Sequence, residues 1–161
     1  MSPGGHGGDV PPVPIWKPSV TVAAVIERHG RFLLVQERIS GRLVLNQPAG
    51  HLDPGESLPA ACRREVLEET AHRFEPTELV GIYRWRDPKK DFTFLRFAFR
   101  GKVGAAENRP LDKEIVALHW LTPQELKERK AEHRSPLVQK CVDDFLAGRS
   151  FPLDLFSPEF P

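Results

Sequence analysis

Residues 50–72 read GHLDPGESLPAACRREVLEETAH, and the spacing of the charged residues in this stretch decides how the rest of the chain is read. At about 100° per residue, Glu65, Glu68 and Glu69 crowd one face of a helix, since positions i, i+3 and i+4 are neighbours on its surface. Three like charges so placed repel. A set of oxygen ligands for a hard divalent cation such as Mg²⁺ or Mn²⁺ has this composition. A solvated acidic helix face is the alternative, because REVLEE is also an ordinary surface string. Arg64, four residues before Glu68, can hold one carboxylate in place, and Glu56 arrives from the loop before the helix.

The preceding residues shift the balance toward the metal. Gly50, five residues, Glu56, seven residues, then Arg64-Glu65-Val66-x-Glu68-Glu69 resembles the Nudix box of the MutT-like hydrolases, which cleave diphosphates linked to a nucleoside or similar group. Two positions depart from that pattern: Ala71 stands where the box has glycine, and His72 where it has an aliphatic residue. Both follow the last carboxylate, so they bear on the helix exit and not on the ligands. From about Trp16 to Phe156 the segments WKPSVTVAAVIERHGRFLLVQE, LNQPAGHLDPGESL, FLRFAF and RSPLVQ…FPLDLF are similar to the NudJ-type phosphatase branch of the family.

That resemblance implies an α/β fold, a Nudix-type α/β/α sandwich with a mixed β-sheet. It also implies Mg²⁺-dependent hydrolysis (Mn²⁺ as substitute) of nucleoside di- and triphosphates and related small pyrophosphates, the thiamin pyrimidine precursor diphosphate among them. Glu65, Glu68 and Glu69 would hold the cation with the Gly50 carbonyl, and Arg64 would orient them. Glu56 would pair with Arg64 or touch the metal through water. Glu114 stands where the family often places an acidic base or further ligand, with Asp112 second for that role. A metabolite sensor keeping the fold without catalysis is the rival from another class, opposed by the intact carboxylate set. An enzyme of capped RNA is disfavoured by the absence of a basic patch.

Composition sets the bounds. The chain of 161 residues suits one domain with a sizeable core, expected over 17–161. Its 23 basic and 22 acidic side chains give a net charge of +1, which argues against a nucleic-acid polymer as partner and leaves small phosphorylated substrates open. Cys62 and Cys141, in no CxxC arrangement, fit a reducing compartment. Residues 1–16 are rich in Gly and Pro and read as a flexible tail, with His6 incidental. There is neither a secretory-signal pattern nor an apolar run able to cross a bilayer, so a cytoplasmic protein with no membrane partner is expected.

Along the chain, Val20–Ile26 and Phe32–Val35 around His29-Gly30 read as a hairpin, and Leu43–Leu45 as a short strand leading into the box. Ser57 is the expected N-cap of the box helix, with Pro59 in its first turn and Leu58, Cys62 and Val66 as its buried stripe. Leu79–Trp85 and Phe92–Phe99 form a second hairpin, and Ile115–Leu121 a further strand. Thr122 and Glu125 make a capping box. A last helix after Ser135-Pro136 carries Leu137, Cys141, Phe145 and Leu146.

Substrate contacts have no fixed spacing to reveal them. Trp85, Tyr83 and Phe94 are candidates for stacking or for core. Arg96 breaks an apolar run and wants an anionic partner, either phosphate or a structural carboxylate. His51 could meet a phosphate or face solvent. Selectivity among small substrates is expected to be loose, because an aromatic surface accepts any base face.

Overall fold

A computed structural model describes residues 12–158. His6 and most of the expected tail lie outside the described residues, and residues 12–16 are exposed and without regular secondary structure. Two sheets carry the fold. The mixed sheet has β1 (Ser19–Ala24) between β5 (Ala49–His51) and β7 (Phe92–Ala106), followed by β6 (His72–Asp87) and β9 (Phe151–Pro152). β1 runs antiparallel to β5 and parallel to β7, while β6 and β7 form the long expected hairpin. In the second sheet β3 (Arg31–Ile39) pairs antiparallel with β2 (Glu27–Arg28), β4 (Arg42–Asn46) and β8 (Ile115–Leu121).

Two-residue turns build this second sheet. His29 and Gly30 have φ of 53° and 74°, and Ser40 and Gly41 have 48° and 77°. Positive φ at both central positions gives the type I′ hairpin, whose twist matches that of the strands it joins. The expected hairpin between Val20–Ile26 and Phe32–Val35 is thus only partly formed, because β1 belongs to the other sheet. The reason lies in its burial. Val22 and Ala24 enter one core cluster while Ala23 enters the other, so β1 is covered on both faces, as a strand with a parallel neighbour usually is.

The helices cover these faces. α1 (Leu58–Thr70) starts at Ser57, whose hydroxyl accepts from the Ala60 amide, with Pro in the first turn as expected. Its Ala61, Cys62 and Val66 pack on Val22, Ala24, Leu79 and Phe99. α2 (Pro123–Glu128) has the full Thr122/Glu125 capping box. α3 (Leu137–Leu146) packs Leu137, Val138, Cys141 and Val142 on the opposite face with Ala23, Val25 and Tyr83. Each such aliphatic side chain contributes about 1.5–3 kcal/mol by leaving water. Leu146, expected on that face, is 54% exposed, one position beyond the stripe that ends at Phe145. The result is an α/β/α sandwich.

The helix exit resolves the departure at Ala71. This residue caps α1 with φ 58°, its amide donating to the Leu67 carbonyl at 3.0 Å. The backbone therefore keeps the left-handed turn that glycine usually supplies and carries an unfavourable Cβ there. Ala71→Gly should raise stability by about 0.5–1 kcal/mol, a rise of about 2 °C in Tm by calorimetry. A fall in Tm would mean that the Ala71 methyl matters more to packing than its backbone strain does.

Candidate active site

The carboxylates of α1 meet the loop before β8 at one end of a cavity of about 400 Å³. Oxygens of Glu65, Glu68 and Asp112 lie within 4.8 Å of one another. The Asp112 amide donates to the Glu68 carbonyl at 2.9 Å, so the loop is tied to the helix at the point where its carboxylate joins the group. Among the sequence candidates this raises Asp112 above Glu114. Glu114 lines the same cavity, half-exposed, with its carbonyl accepting from the Arg38 amide at 3.0 Å.

Arg64 organises the cluster. Its Nε and Nη2 donate to both oxygens of Glu56 at 3.0 and 2.6 Å, and Nη1 donates to Glu65 Oε1 at 2.8 Å and Glu68 Oε2 at 3.2 Å. Nη2 also donates to the His51 carbonyl at 2.9 Å, which pins the β5 end to the helix. Of the two roles open to Glu56, the structure forms the pairing with Arg64. That hydrogen bond holds the Glu56 carboxyl below its usual range and pushes the Arg64 guanidinium up.

Burial acts in the opposite direction on the neighbouring acids. Desolvation raises Glu65 against the lowering effect of Arg64. Glu69 is only 5% exposed, and burial is the main cause of its rise to about 9, aided by Glu37, Glu65 and Asp112 and opposed by the Ala49 amide, which donates to Glu69 Oε2 at 3.0 Å. Glu69 thus stands beside the three-carboxylate group, on the Ala49 amide. Such a set, oxygen-only and mutually repulsive, fits a hard divalent cation.

Gly50 has a steric reason. A Cβ built there would collide with the Glu65 carboxyl, so only glycine lets that side chain reach across the strand. His51 lines the cavity, its Nδ1 at 2.9 Å from Ser19 Oγ. Trp85 and Phe94, opposite each other in the β6–β7 register, stack at 5.8 Å and 17°. Both line the far end of the cavity, so they serve core and site together. Tyr83 is buried in the core and donates to Asp144 at 2.8 Å.

Arg96 has no structural carboxylate as partner among the described residues. It is 8% exposed and donates to Gln47 Oε1 at 3.2 Å and Asn46 Oδ1 at 3.3 Å. Those two amides, and Glu37 with its Arg134 pair at 2.9 Å, were not among the sequence candidates. The visible signal was the polar Asn46-Gln47 pair closing an otherwise apolar strand.

This arrangement of a glycine-crossed, arginine-centred carboxylate helix on an α/β/α sandwich defines a hydrolase of diphosphate linkages. The NUDIX domain family matches residues 16–141, and the chain belongs to that family as an enzyme of the Nudix hydrolase type. It is 36% identical over 142 residues to the phosphatase NudJ of Escherichia coli K12, covering 88% of this chain and 92% of that protein. Among solved structures, a NUDIX hydrolase from Nitrosomonas europaea superposes with a TM-score of 0.87 at 49% identity, over 89% of this chain and 98% of that one. A MutT NUDIX hydrolase from Burkholderia pseudomallei shares the fold, with a TM-score of 0.69 at 20% identity, covering 80% of this chain and 98% of that chain. No helix among the described residues is long and apolar enough to cross a membrane.

Gly50→Ala should leave Tm nearly unchanged, because the far end of Glu65 can swing away, but weaken Mn²⁺ binding roughly 10- to 100-fold, the usual scale for disturbing ligand orientation. Titration calorimetry measures it, and an unaltered affinity would separate Gly50 from metal binding. Glu69 supplies a pH test. Because its folded value is raised from 4.5 to about 9, its contribution to stability is full below pH 4.5 and declines as pH rises toward 9. In metal-free buffer, Glu69→Gln should therefore be increasingly more stable than the wild type between pH 6 and 8.5. A Tm difference that stays flat across that window would contradict the burial of the charge.

Proposed function

We propose that residues 17–161 act as a single domain that hydrolyses nucleoside di- and triphosphates and related small pyrophosphates in the cytoplasm, with Mg²⁺ or Mn²⁺. The thiamin pyrimidine precursor diphosphate is within this class, and the similarity to the phosphatase NudJ supports that branch of the family. The observation carrying the reading is the three-carboxylate group of Glu65, Glu68 and Asp112 at one end of a cavity whose other end is aromatic. A cavity of about 400 Å³ suits one small organic group, which disfavours dinucleoside polyphosphates and capped RNA.

A bound divalent cation would neutralise the diphosphate and lower the pKa of the attacking water. Glu65, Glu68 and Asp112 would hold it, with the Gly50 carbonyl and Glu69 as further donors. Arg64 keeps two of these carboxylates in place by direct hydrogen bonds. Glu56 takes the other edge of the guanidinium and so fixes its plane. Glu114, which lines the cavity with a half-exposed carboxylate, would take a proton from water. His51, which also lines the cavity, would contact a phosphate.

Turnover of a small pyrophosphate panel with and without Mg²⁺ tests this reading, with Glu68→Gln as the inactive control of unchanged far-UV spectrum. Asp112→Asn should weaken metal affinity along with kcat, whereas Glu114→Gln should lower kcat roughly 10²- to 10⁴-fold at unchanged metal affinity. Exchanged phenotypes would make Glu114 the ligand and Asp112 the base. No metal-dependent hydrolysis of any member of the panel would defeat the assignment.

A further inference from the structure

Arg96 is a buried cation, and among the described residues it has no carboxylate counter-ion at salt-bridge distance. Its partners are neutral: amide oxygens at 3.2 and 3.3 Å and the buried Cys141 thiol beside it. A desolvated charge in this state is costly unless a ligand completes it. Guanidinium carries five N–H donors, two of which are occupied here, and Arg96 lines the substrate cavity. A second incomplete group lies next to it. Thr21, 6% exposed and paired with Arg96 in the β1–β7 register, has a buried Oγ1 with no partner among the described residues, and it too lines the cavity.

The position of Arg96 argues against a phosphate. The carboxylate end of the cavity adjoins β5, where Glu65 crosses Gly50. His51, Thr21 and Arg96 form one row across β5, β1 and β7, so at about 4.8 Å per strand the Arg96 backbone lies roughly 10 Å from that of His51. This span is comparable to that from the phosphates of a nucleotide to its base. Phe94 is two residues away on the same strand, therefore on the same face, with Trp85 stacked against it. Arg96 is thus rooted two strands from β5, on the side of the cavity that Phe94 and Trp85 line.

The guanidinium is also fixed in orientation. Gln47 Nε2 donates to the Val138 carbonyl of α3 at 2.8 Å, which leaves Gln47 Oε1 facing Arg96, and Asn46 holds the second terminal nitrogen. A fork fixed in this way matches two adjacent acceptors. Among the common bases, guanine presents O6 beside N7 and cytosine O2 beside N3. Adenine sets an amino donor beside N7, and uracil sets N3–H between its carbonyls, so each offers the fork one acceptor and one donor.

Building on the hydrolase reading above, we propose that Arg96, positioned by Gln47 and Asn46, is the specificity-determining residue that selects cytosine and guanine nucleotides by their paired acceptors. Stacking on Trp85 and Phe94 remains indifferent to the base, and the edge contact narrows the loose selectivity that stacking alone would give.

The test compares kcat/KM for CTP, GTP, ATP and UTP at fixed Mg²⁺ in wild type, Arg96→Met and Arg96→Lys. The wild type should favour CTP and GTP about 10- to 100-fold, the range for one bidentate base contact. Both variants should bring the four substrates within about threefold of one another, Arg96→Lys because it keeps the charge but loses the fork. Arg96→Lys also covers the case in which Arg96→Met does not fold. A uniform loss over all four would assign Arg96 to the phosphates and overturn the proposal, as would a wild type that does not discriminate. Titration calorimetry with CMP, GMP, AMP and UMP separates the two readings. If no triphosphate is hydrolysed, the hydrolase assignment fails for these substrates. A CMP and GMP preference of tenfold or more, lost in Arg96→Lys, would still support the edge reader, and equal affinities would overturn it.

Discussion

Everything at the carboxylate end depends on one guanidinium. Glu56, Glu65, Glu68, Glu69 and Asp112 converge within a small volume, and acids at such separations resist being charged together. Arg64 meets the problem by geometry as much as by charge. Its planar fork takes Glu56 along one edge, Glu65 and Glu68 from another nitrogen, and the His51 carbonyl besides. Lysine, with a single ammonium, could not span these acceptors in one plane. The strand that carries Gly50 and the helix that carries the acids are thereby joined at the site itself.

The remaining fold serves this junction by covering β1 on both faces. One face takes α1, so the carboxylate helix rests on a packed layer of Val22, Ala24, Leu79 and Phe99. The opposite face, with α3 behind it, opens into the cavity toward its aromatic end. A single strand therefore separates the layer that anchors the carboxylate helix from the layer that faces the cavity. Gly50 is where the two communicate, because a missing side chain lets Glu65 pass from the first side to the other.

The parts legible in sequence were those with a local cause. The box helix, its Ser57 cap, the Thr122 capping box and the β6–β7 hairpin each rest on residues a few positions apart, and each formed. Pairing between distant segments was not legible. β-Branched Val20 and Val22 mark a strand but do not say which sheet it enters, so β1 was joined to its sequence neighbour when its partners are β5 and β7. At the site, the spacing of Glu65 and Glu68 located one side of the acidic group. Its third member, Asp112, comes from a loop over forty residues away, where sequence offered both Asp112 and Glu114. The Arg96 partners were hidden for the same reason, since an arginine in an apolar run announces a need without naming what meets it.

The parallel pairing of β1 with β7 has a kinetic consequence. Ser19 lies opposite Phe94, so this pairing must close a loop of about 75 residues before its contacts repay the lost chain entropy. The type I′ turns and the β6–β7 ribbon need only short closures and can form early. β1 is also the strand to which β5 attaches, so Gly50 and His51 join the β6–β7 ribbon only through the long-range closure. The cavity, whose lining runs from β5 to β6, is thus completed by long-range contacts of the kind that slow folding, and a chain arrested before that step would hold most of its hairpins and helices without a complete cavity.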